Sequence, residues 1–249
     1  LDRHLVAVIV APIEEPEHRL RLRRVLLLLV NQDEGRARDR PGVVSGLVGL
    51  LTLVDSRRIP LRHAPGLSLY ADTPIPEQLG LFTDADGMTA INHNPGHKPL
   101  PYLDWLTSAL PYYLFKPRRV LVLGAGGGSG VQQALNHAAA HIDGVELNPQ
   151  LVALLQHDYA DWSGHLYGRD GVQLHTGDAR GFVKGSRQEY DLIQLSLLDA
   201  WGASSAGLYA LNENYLYTVE ALQDYIGRLA PGGYLAISRW IKLPPRDTL

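Results

Sequence analysis

A cluster of glycines interrupts an apolar stretch near the middle of this 249-residue chain. Four apolar residues, Val120–Leu123, lead directly into five glycines within the seven positions Gly124–Gly130. This order is typical of a buried strand that breaks into a tight turn and continues as a helix. The glycines let the backbone approach a ligand closely, and free N–H groups at the start of a helix attract acceptor atoms. The stretch therefore predicts a nucleotide-type site.

The spacing of these glycines differs from that of two common nucleotide-binding motifs. Gly124, Gly126 and Gly128 occupy every second position, and Ser129 stands where a dinucleotide-binding motif has its last glycine. No Lys-Ser/Thr pair follows, so the stretch is not a phosphate-binding P-loop either. A turn that serves only close packing of a strand and a helix is the non-functional alternative.

Two acidic residues follow later apolar segments. Glu146 comes 22 positions after Gly124, where a carboxylate can accept hydrogen bonds from both hydroxyls of a ribose. Asp178 lies between Gly177 and Ala179, where it can accept from an adenine amino group while a neighbouring backbone N–H binds a ring nitrogen. The alternatives are a surface acid for Glu146 and a helix N-cap for Asp178. With the glycine stretch, the two acids favour an adenosine-containing ligand.

The elements that must position these residues alternate between strand and helix. Five apolar segments are typical of buried strands: Val120–Leu123, Ile142–Leu147, Val172–Thr176, Tyr190–Leu195 and Tyr234–Ser238. Helical patterns lie between some of them, over 129–140, 148–159 and 214–229. Strands separated by helices predict right-handed crossovers and a doubly wound parallel sheet, an α/β fold of the Rossmann-like type. Ligands of such sheets bind beyond the carboxyl ends of the strands, where the glycines and both acids would lie.

The first 114 residues carry weaker patterns. Asp86-Gly87 between two apolar arms predicts a β-hairpin. Other segments predict a buried strand (Leu5–Ala11), a mobile loop (Asn31–Gly42), a buried strand or core helix (Val43–Val54), β structure (Leu67–Ala71) and a helix (Tyr102–Leu114). We therefore expect a poorly defined segment over 1–60, a small β-rich region with a connecting helix over 61–114, and a Rossmann-like domain over 115–249. That last domain ends soon after its fifth strand, as a truncated domain or a fragment would.

The composition argues against several function classes. A formal charge of −3 gives no electrostatic case for nucleic acid as a partner. Cysteine is absent, the histidines lack zinc-hydrolase spacing, and Asp84-x-Asp86-Gly87 lacks the remaining calcium ligands, so we expect no metal. No apolar run reaches the roughly 18–20 residues of a membrane span. We expect a cytoplasmic protein, either by itself or as the soluble part of a membrane-associated protein.

Taken together, the motifs resemble those of a known fold family. Gly-x-Gly-x-Gly, an acid ending the second strand, Gly-Asp-Ala after the third, and Leu-Ala-Pro-Gly-Gly before the fifth are similar to S-adenosylmethionine-dependent methyltransferases. Residues 67–240 resemble more narrowly the polyamine aminopropyltransferases, the spermidine synthase family, which share that fold and add an N-terminal β domain. The narrower resemblance rests on the Asp86-Gly87 hairpin, Tyr102-Leu103-Asp104, Leu208-Tyr209 and Glu213-Asn214-Tyr215.

The resemblance implies a transferase that binds S-adenosylmethionine or its decarboxylated form and transfers an aminopropyl group to a small-molecule amine such as a polyamine. It places the amino-acid or aminopropyl end of the cofactor at the glycine loop, the ribose at Glu146 with Leu147, and the adenine at Asp178 with Ala179. The acceptor residues that it implies are Tyr102, Asp104, Tyr209, Glu213 and Tyr215. A homodimer stays open.

This chain departs from the family pattern at the reacting residues. The family's glycine loop carries an Asp that holds the cofactor's amino group, whereas Gly124–Gly130 contains no acid. The family has Asp-x-x-Asp after strand 4, and its first Asp assists deprotonation of the attacking amine; here Ser196 takes that position and only Asp199 remains. A serine without a basic partner is a poor base. Two alternatives therefore stay open: a small-molecule methyltransferase, and a non-catalytic cofactor-binding module of a larger membrane or regulatory protein.

Overall fold

Two β-sheets organise the protein. The computed structural model describes residues 4–12, 42–46, 49–55, 60–83, 87–196 and 215–241. Within these residues the strands form one six-stranded and one four-stranded sheet. No helix in the described part of the chain is long and apolar enough to cross a membrane.

The larger sheet is parallel throughout, which confirms the expected Rossmann-like architecture. Its strands are β1 (His4–Pro12), β6 (Arg119–Leu123), β7 (His141–Glu146), β8 (Val172–Thr176), β9 (Tyr190–Ser196) and β10 (Leu229–Ile241). They are arranged in the order β1-β10-β9-β6-β7-β8. The near-continuous apolar runs of these strands arise because both faces of a parallel sheet are covered by helices.

The two faces of the central strand lie in different hydrophobic clusters. Val120 and Val122 pack on one side of β6, and Leu121 and Leu123 pack on the other. The α-helices of the described chain are α1 (Leu110–Leu114), α2 (Ser129–Asn136), α3 (Pro149–Ala153), α4 (Ala160–Ser163), α5 (Ala179–Gly185) and α6 (Val219–Ile226). A π-helical turn, Leu154–Asp158, continues α3. Helices α2 and α3 contribute to the first cluster, and α5 and α6 to the second, so the sheet is covered on both sides.

The first strand of the chain joins the edge of this sheet. β1 pairs in parallel with β10, in a register that places Val6 beside Ala236. The expectation of a strand over Leu5–Ala11 is thus confirmed, and its partner lies at the other end of the chain. Strand β10 is longer than the expected Tyr234–Ser238, because residues 229–233 also fall within it, at a register irregularity.

The smaller sheet is antiparallel. It consists of β2 (Gly42–Gly46), β3 (Gly49–Val54), β4 (Gln78–Thr83) and β5 (Gly87–Asn92), in that order. The predicted hairpin is confirmed by the pairing of Thr83 with Gly87, although residues 84–86 lie outside the described chain. Residues 43–46 and 49–54 lie in two strands, so the described part of this segment is strand and not helix. Of the loop expected over 31–42, only Gly42 is described.

Three expectations are wrong in part. Leu67–Ala71 forms no strand beyond an isolated bridge at Leu67, and Leu69 is fully exposed. The helix expected over 102–114 is broken at Leu106, whose backbone is extended, into 3₁₀ turns at 101–105 and 107–109. Helix α1 follows, and Pro111, which lacks an N–H, lies in its first turn, where no helical N–H bond is lost. The helix expected over 214–229 begins later, where the Thr218 side chain caps α6.

The boundary expected at residue 60 does not follow the sheets. Strand β1 belongs to the parallel sheet, whereas β2 and β3 belong to the antiparallel one. Buried leucines of the small sheet share one hydrophobic cluster with Val120 and Val122 of the central strand; these are Leu51, Leu53, Leu79 and Leu81. The small sheet therefore packs close to the carboxyl edge of the large one, where the candidate site lies.

Candidate functional site

A cavity of about 460 Å³ lies at the carboxyl edge of the parallel sheet. Residues at or just beyond the ends of five neighbouring strands line it, namely Gly124, Glu146, Gly177, Ser196 and Ser238. Strand β5 and the turns that follow it form the opposite wall, through residues such as Thr89, Ala90, Tyr102 and Thr107. The volume is in the range of small-molecule sites, and the location is the one expected for an open α/β sheet.

The glycine loop fits tightly between its neighbours. Gly124, Gly126 and Gly128 adopt φ values of 73°, 50° and 95°, in the left-handed region that favours glycine. A Cβ atom at Gly127 would collide with the carbonyl oxygen of Ala90 on β5. The glycines are therefore required by the backbone path and by the close approach of the small sheet.

The loop's backbone N–H groups already have acceptors. Each N–H from Gly124 to Gly128 donates a hydrogen bond within the protein; the acceptors are the carbonyl oxygens of Val145 and Ala125, the Glu146 carboxylate and Thr89 Oγ1. The free N–H groups that the sequence predicted belong to the start of the following helix, which is α2 from Ser129 onward. This part of the loop instead contributes shape, because its donors are used to fix its own conformation.

Glu146 links the end of β7 to the loop. Its Oε2 accepts from Gly126 N at 2.9 Å, and its Oε1 accepts from Asn148 N at 3.0 Å. A carboxylate has about four acceptor positions, so each oxygen retains one for a ligand. The next residue, Leu147, also lines the cavity, with 52% of its surface exposed. The structure thus places an anchored carboxylate and an exposed apolar side chain side by side.

Asp178 is the N-cap of α5, and both of its carboxylate oxygens have partners. Oδ2 accepts from Gly181 N at 2.6 Å, and Oδ1 accepts from the Tyr215 hydroxyl at 2.6 Å. This hydrogen bond, followed by burial and the charge of Asp178, raises the pKa of Tyr215 to about 12. Gly177, Ala179 and Tyr215 line the cavity, whereas Asp178 is not among its described lining residues.

Two serines lie side by side on adjacent strands. Ser196 on β9 and Ser238 on β10 are paired in register, and both line the cavity. The Ser196 Oγ atom is buried and has no hydrogen-bond partner among the described residues. The second residue expected to act on the acceptor, Asp199, lies outside the described chain. The structure therefore places one of the two expected catalytic residues at the cavity.

The residues expected to bind the acceptor fall into three groups. Tyr102 lines the cavity and donates to Asn92 Oδ1 at 2.8 Å, and burial raises the pKa of its hydroxyl. Asp104 pairs instead with His137 Nε2 at 3.0 Å and is not among the described lining residues. Tyr215 contacts Asp178, as described above. Tyr209 and Glu213 lie outside the described residues.

A buried amide network lies behind Tyr102, and the sequence patterns did not reveal it. Asn92 Oδ1 accepts from Tyr102 and, at 2.9 Å, from Gln78 Nε2, while Asn92 Nδ2 donates to Gln132 Oε1 at 2.8 Å. Gln78, Asn92 and Gln132 are all nearly inaccessible to solvent. The sequence signal that could have revealed this network is the presence of amide side chains at inward-facing positions of otherwise apolar strands and helices. The network connects β4 and β5 to α2 just beside the glycine loop.

His63 is a second residue that the sequence did not single out. It lines the cavity, and its backbone N–H and C=O exchange hydrogen bonds with the Gln78 side chain at 2.7 and 3.1 Å. Burial lowers the pKa of the His63 imidazole to about 4. The ring is therefore neutral at pH 7, so this wall of the cavity is polar without adding positive charge.

Comparison with known proteins identifies the family. Residues 104–234 match the spermine/spermidine synthase domain. Polyamine aminopropyltransferase 2 of Hyperthermus butylicus is 28% identical over 190 residues, which cover 74% of this chain and 57% of that protein. Polyamine aminopropyltransferase of Vibrio vulnificus is 30% identical over 176 residues, which cover 65% of this chain and 56% of that protein.

Solved structures agree on the fold. Spermidine synthase from Thermotoga maritima aligns with a TM-score of 0.53 and 15% identity, covering 80% of this chain and 56% of its own. The chain thus spans little more than half the length of the relatives it matches. The expected resemblance is confirmed: this chain belongs to the spermine/spermidine synthase domain family.

Proposed function

We propose that this chain binds S-adenosylmethionine or its decarboxylated form in the cavity and, with the latter, transfers an aminopropyl group to an amine. The family match and the names of its relatives support the reaction class. The observation that carries the proposal is the Glu146 carboxylate, anchored by Gly126 N at the carboxyl end of β7 with acceptor positions to spare. Two adjacent ribose hydroxyls need such a paired acceptor.

The residues present fit an adenosyl group. The two free acceptor positions of Glu146 suit the ribose. Beyond it, Leu147 offers an exposed apolar surface for a flat base. Gly177 borders the cavity with no atom within 4 Å of the position that a Cβ would take, which leaves space for a ring. We therefore assign the ribose to Glu146 and the adenine to the segment around Leu147 and 177–179.

The chemistry at the acceptor side requires proton removal. A bound sulfonium supplies an activated carbon: a C–N bond to the amine forms, the C–S bond breaks, and methylthioadenosine leaves. The amine must first lose a proton, because an ammonium has no lone pair. The Ser196 hydroxyl has no basic partner among the described residues. We assign the proton-accepting and cation-binding role to Asp199 and propose that Tyr102 contacts the acceptor, with Tyr209 and Glu213 as further candidates.

Calorimetric titration with S-adenosylmethionine, decarboxylated S-adenosylmethionine and methylthioadenosine tests the binding site. We expect all three to bind, and Glu146→Gln to weaken each by at least about tenfold, because an amide cannot accept from both ribose hydroxyls and both backbone N–H groups. The matched control is Glu189→Gln, an exposed glutamate before β9, which should change nothing. Absence of binding by the wild-type protein up to about 1 mM ligand would contradict the proposal.

Product analysis separates the reaction from its alternatives. With decarboxylated S-adenosylmethionine and a diamine, we expect methylthioadenosine and an aminopropylated amine in equal amounts. Methyl transfer from S-adenosylmethionine without aminopropyl transfer would favour a small-molecule methyltransferase. Binding without either product would favour a non-catalytic cofactor-binding module.

A further inference from the structure

Tyr215 borders the part of the cavity that Gly177 and Ala179 line, and its hydroxyl is hydrogen-bonded to Asp178. Tyr215 lines the cavity, whereas Asp178 is flanked by lining residues without being one of them. The Tyr215 hydroxyl donates to Asp178 Oδ1 at 2.6 Å, a length typical of a charge-assisted O–H···O bond. Of this pair, Tyr215 borders the cavity, and the Asp178 carboxylate accepts the hydrogen of its hydroxyl.

We propose that the Tyr215 hydroxyl oxygen recognises the exocyclic amino group of the base, and that Asp178 acts through it by holding its single proton. The inference rests on the proposed function and specifies which atom selects the base. A tyrosine hydroxyl has one hydrogen to donate and lone pairs that accept. With its hydrogen directed at Asp178, the oxygen can only accept. It therefore accepts from the 6-amino group of adenine and repels the 6-oxo group of hypoxanthine.

Both members of the pair are held in place by other contacts. Gly181 N fixes the second oxygen of Asp178 at 2.6 Å. The turn that carries Tyr215 is held by the hydrogen bond from the Tyr225 hydroxyl to the carbonyl oxygen of Leu216, at 3.0 Å. The guanidinium of Arg239 also lies 4.4 Å from the centre of the Tyr217 ring in that turn. The direction of the Tyr215 hydroxyl is thus set before any ligand arrives.

The protonation state of Tyr215 supports this direction. Its pKa is raised to about 12, chiefly by the hydrogen bond to Asp178. The hydroxyl therefore keeps its proton throughout the neutral range, and its oxygen remains a neutral acceptor.

The test measures base preference by calorimetry, with 5′-methylthioadenosine and 5′-methylthioinosine as probes. They differ at position 6 of the base, amino against oxo, with the accompanying change of the ring N1 from acceptor to donor. We expect the wild-type protein to prefer the adenine compound and Tyr215→Phe to lower that preference by about tenfold, the effect of one hydrogen bond. Tyr70→Phe, at a tyrosine that is 88% exposed and absent from the described cavity lining, is the matched control.

Asp178→Asn tests whether the aspartate acts through the tyrosine. An asparagine amide can donate to the Tyr215 oxygen and release the tyrosine hydrogen toward the base, so the preference should shift toward the hypoxanthine compound. In the Tyr215→Phe background the same substitution should no longer change the preference, because the group through which it acts is gone. Circular dichroism of each variant confirms that it is folded.

Three results would overturn the inference. They are an unchanged preference in Tyr215→Phe, a tighter binding of the adenine compound by that variant, and an equal effect of Asp178→Asn in both backgrounds. The last would mean that Asp178 contacts the base directly. These results differ from a failure of the proposed function, in which the wild-type protein binds neither compound.

Discussion

At Gly127, the absence of a side chain lets strand β5 and the glycine loop come into contact. A Cβ there would collide with the Ala90 carbonyl oxygen and lie 3.0 Å from Thr89 Oγ1. The Thr89 hydroxyl also accepts from Gly127 N at 2.8 Å, so any shift that relieves the collision breaks this hydrogen bond. The contact between the small sheet and the glycine loop beside the cavity thus requires that residue 127 carry a hydrogen atom in place of a side chain.

We predict that Gly127→Ala destabilises the protein by about 2 kcal/mol, as overpacking of a rigid contact does, and weakens binding of methylthioadenosine. Urea denaturation and calorimetry measure the two effects. Gly185→Ala is the control, because nothing lies within 4 Å of its Cβ position and its φ is not in the left-handed region. A Gly127→Ala protein as stable as the Gly185→Ala protein would refute this account.

Some residues of the site were predictable and others were not. Glu146 could be placed because it ends an apolar strand at the expected distance after the glycines, and a strand end is a local signal. The contact of Tyr215 with Asp178 joins residues 37 positions apart and depends on how α6 packs against α5. Asp104 carried the right charge in a matching motif, yet its carboxylate pairs with His137, which no local pattern revealed.

At the scale of elements, the amide network holds the small sheet against α2. Asn92 at the end of β5 is the residue in which its hydrogen bonds converge, from Tyr102, Gln78 and Gln132. A buried polar group that loses its hydrogen-bond partner destabilises the fold, because water cannot reach it and replace the hydrogen bond. The orientation of β5, and with it the wall of the cavity that carries Thr89, depends on this connection.

We predict that Asn92→Ala lowers the free energy of unfolding by about 3 kcal/mol, because several buried polar groups lose their partner together. Gln173→Ala, which removes an exposed amide from β8, should change it by less than about 0.5 kcal/mol. Urea denaturation of both variants checks the prediction. Equal stabilities would show that water or rearranged side chains replace the hydrogen bonds of Asn92.

The five strands that the sequence predicted after residue 115 were recognisable because both faces of a parallel sheet are buried, so each strand appears as an apolar run. Elements on the surface of that sheet were harder to predict. Helix α5 was missed, since its few apolar positions, among them Val183, give no long helical pattern. Leu67–Ala71 alternates like a strand but has no buried face in the structure, so the alternation was misleading.

At the scale of the whole molecule, the two ends of the described chain meet in one sheet. β1 covers the outer edge of β10, which would otherwise present a row of unpaired N–H and C=O groups. The carboxyl part of β10 carries Ser238, which lines the cavity. The sequence revealed β1 as a strand, but its neighbour could not be inferred, because β1 and β10 lie at opposite ends of the described chain and their pairing leaves no local signal.

We predict that removal of residues 1–12 exposes the edge of β10, lowers the thermal unfolding midpoint by several degrees and promotes self-association. Light scattering during a thermal ramp measures both, with the full chain as reference. The physical reason is the loss of a complete parallel ladder at a sheet edge. A truncated protein that unfolds at the same temperature and keeps the oligomeric state of the untruncated chain would show that another part of the chain covers the edge.

The hydrogen-bonded glycine loop has a thermodynamic consequence for ligand recognition. Because five consecutive N–H groups from Gly124 to Gly128 bond within the protein, the loop is already rigid and binding need not order it. The same property makes these five donors unavailable to phosphate oxygens, which phosphate-binding loops hold through backbone N–H groups. ATP and NAD should accordingly compete only weakly for the cavity. An uncharged nucleoside thioether should bind with little loss of conformational entropy of the loop, because the loop already has a fixed shape.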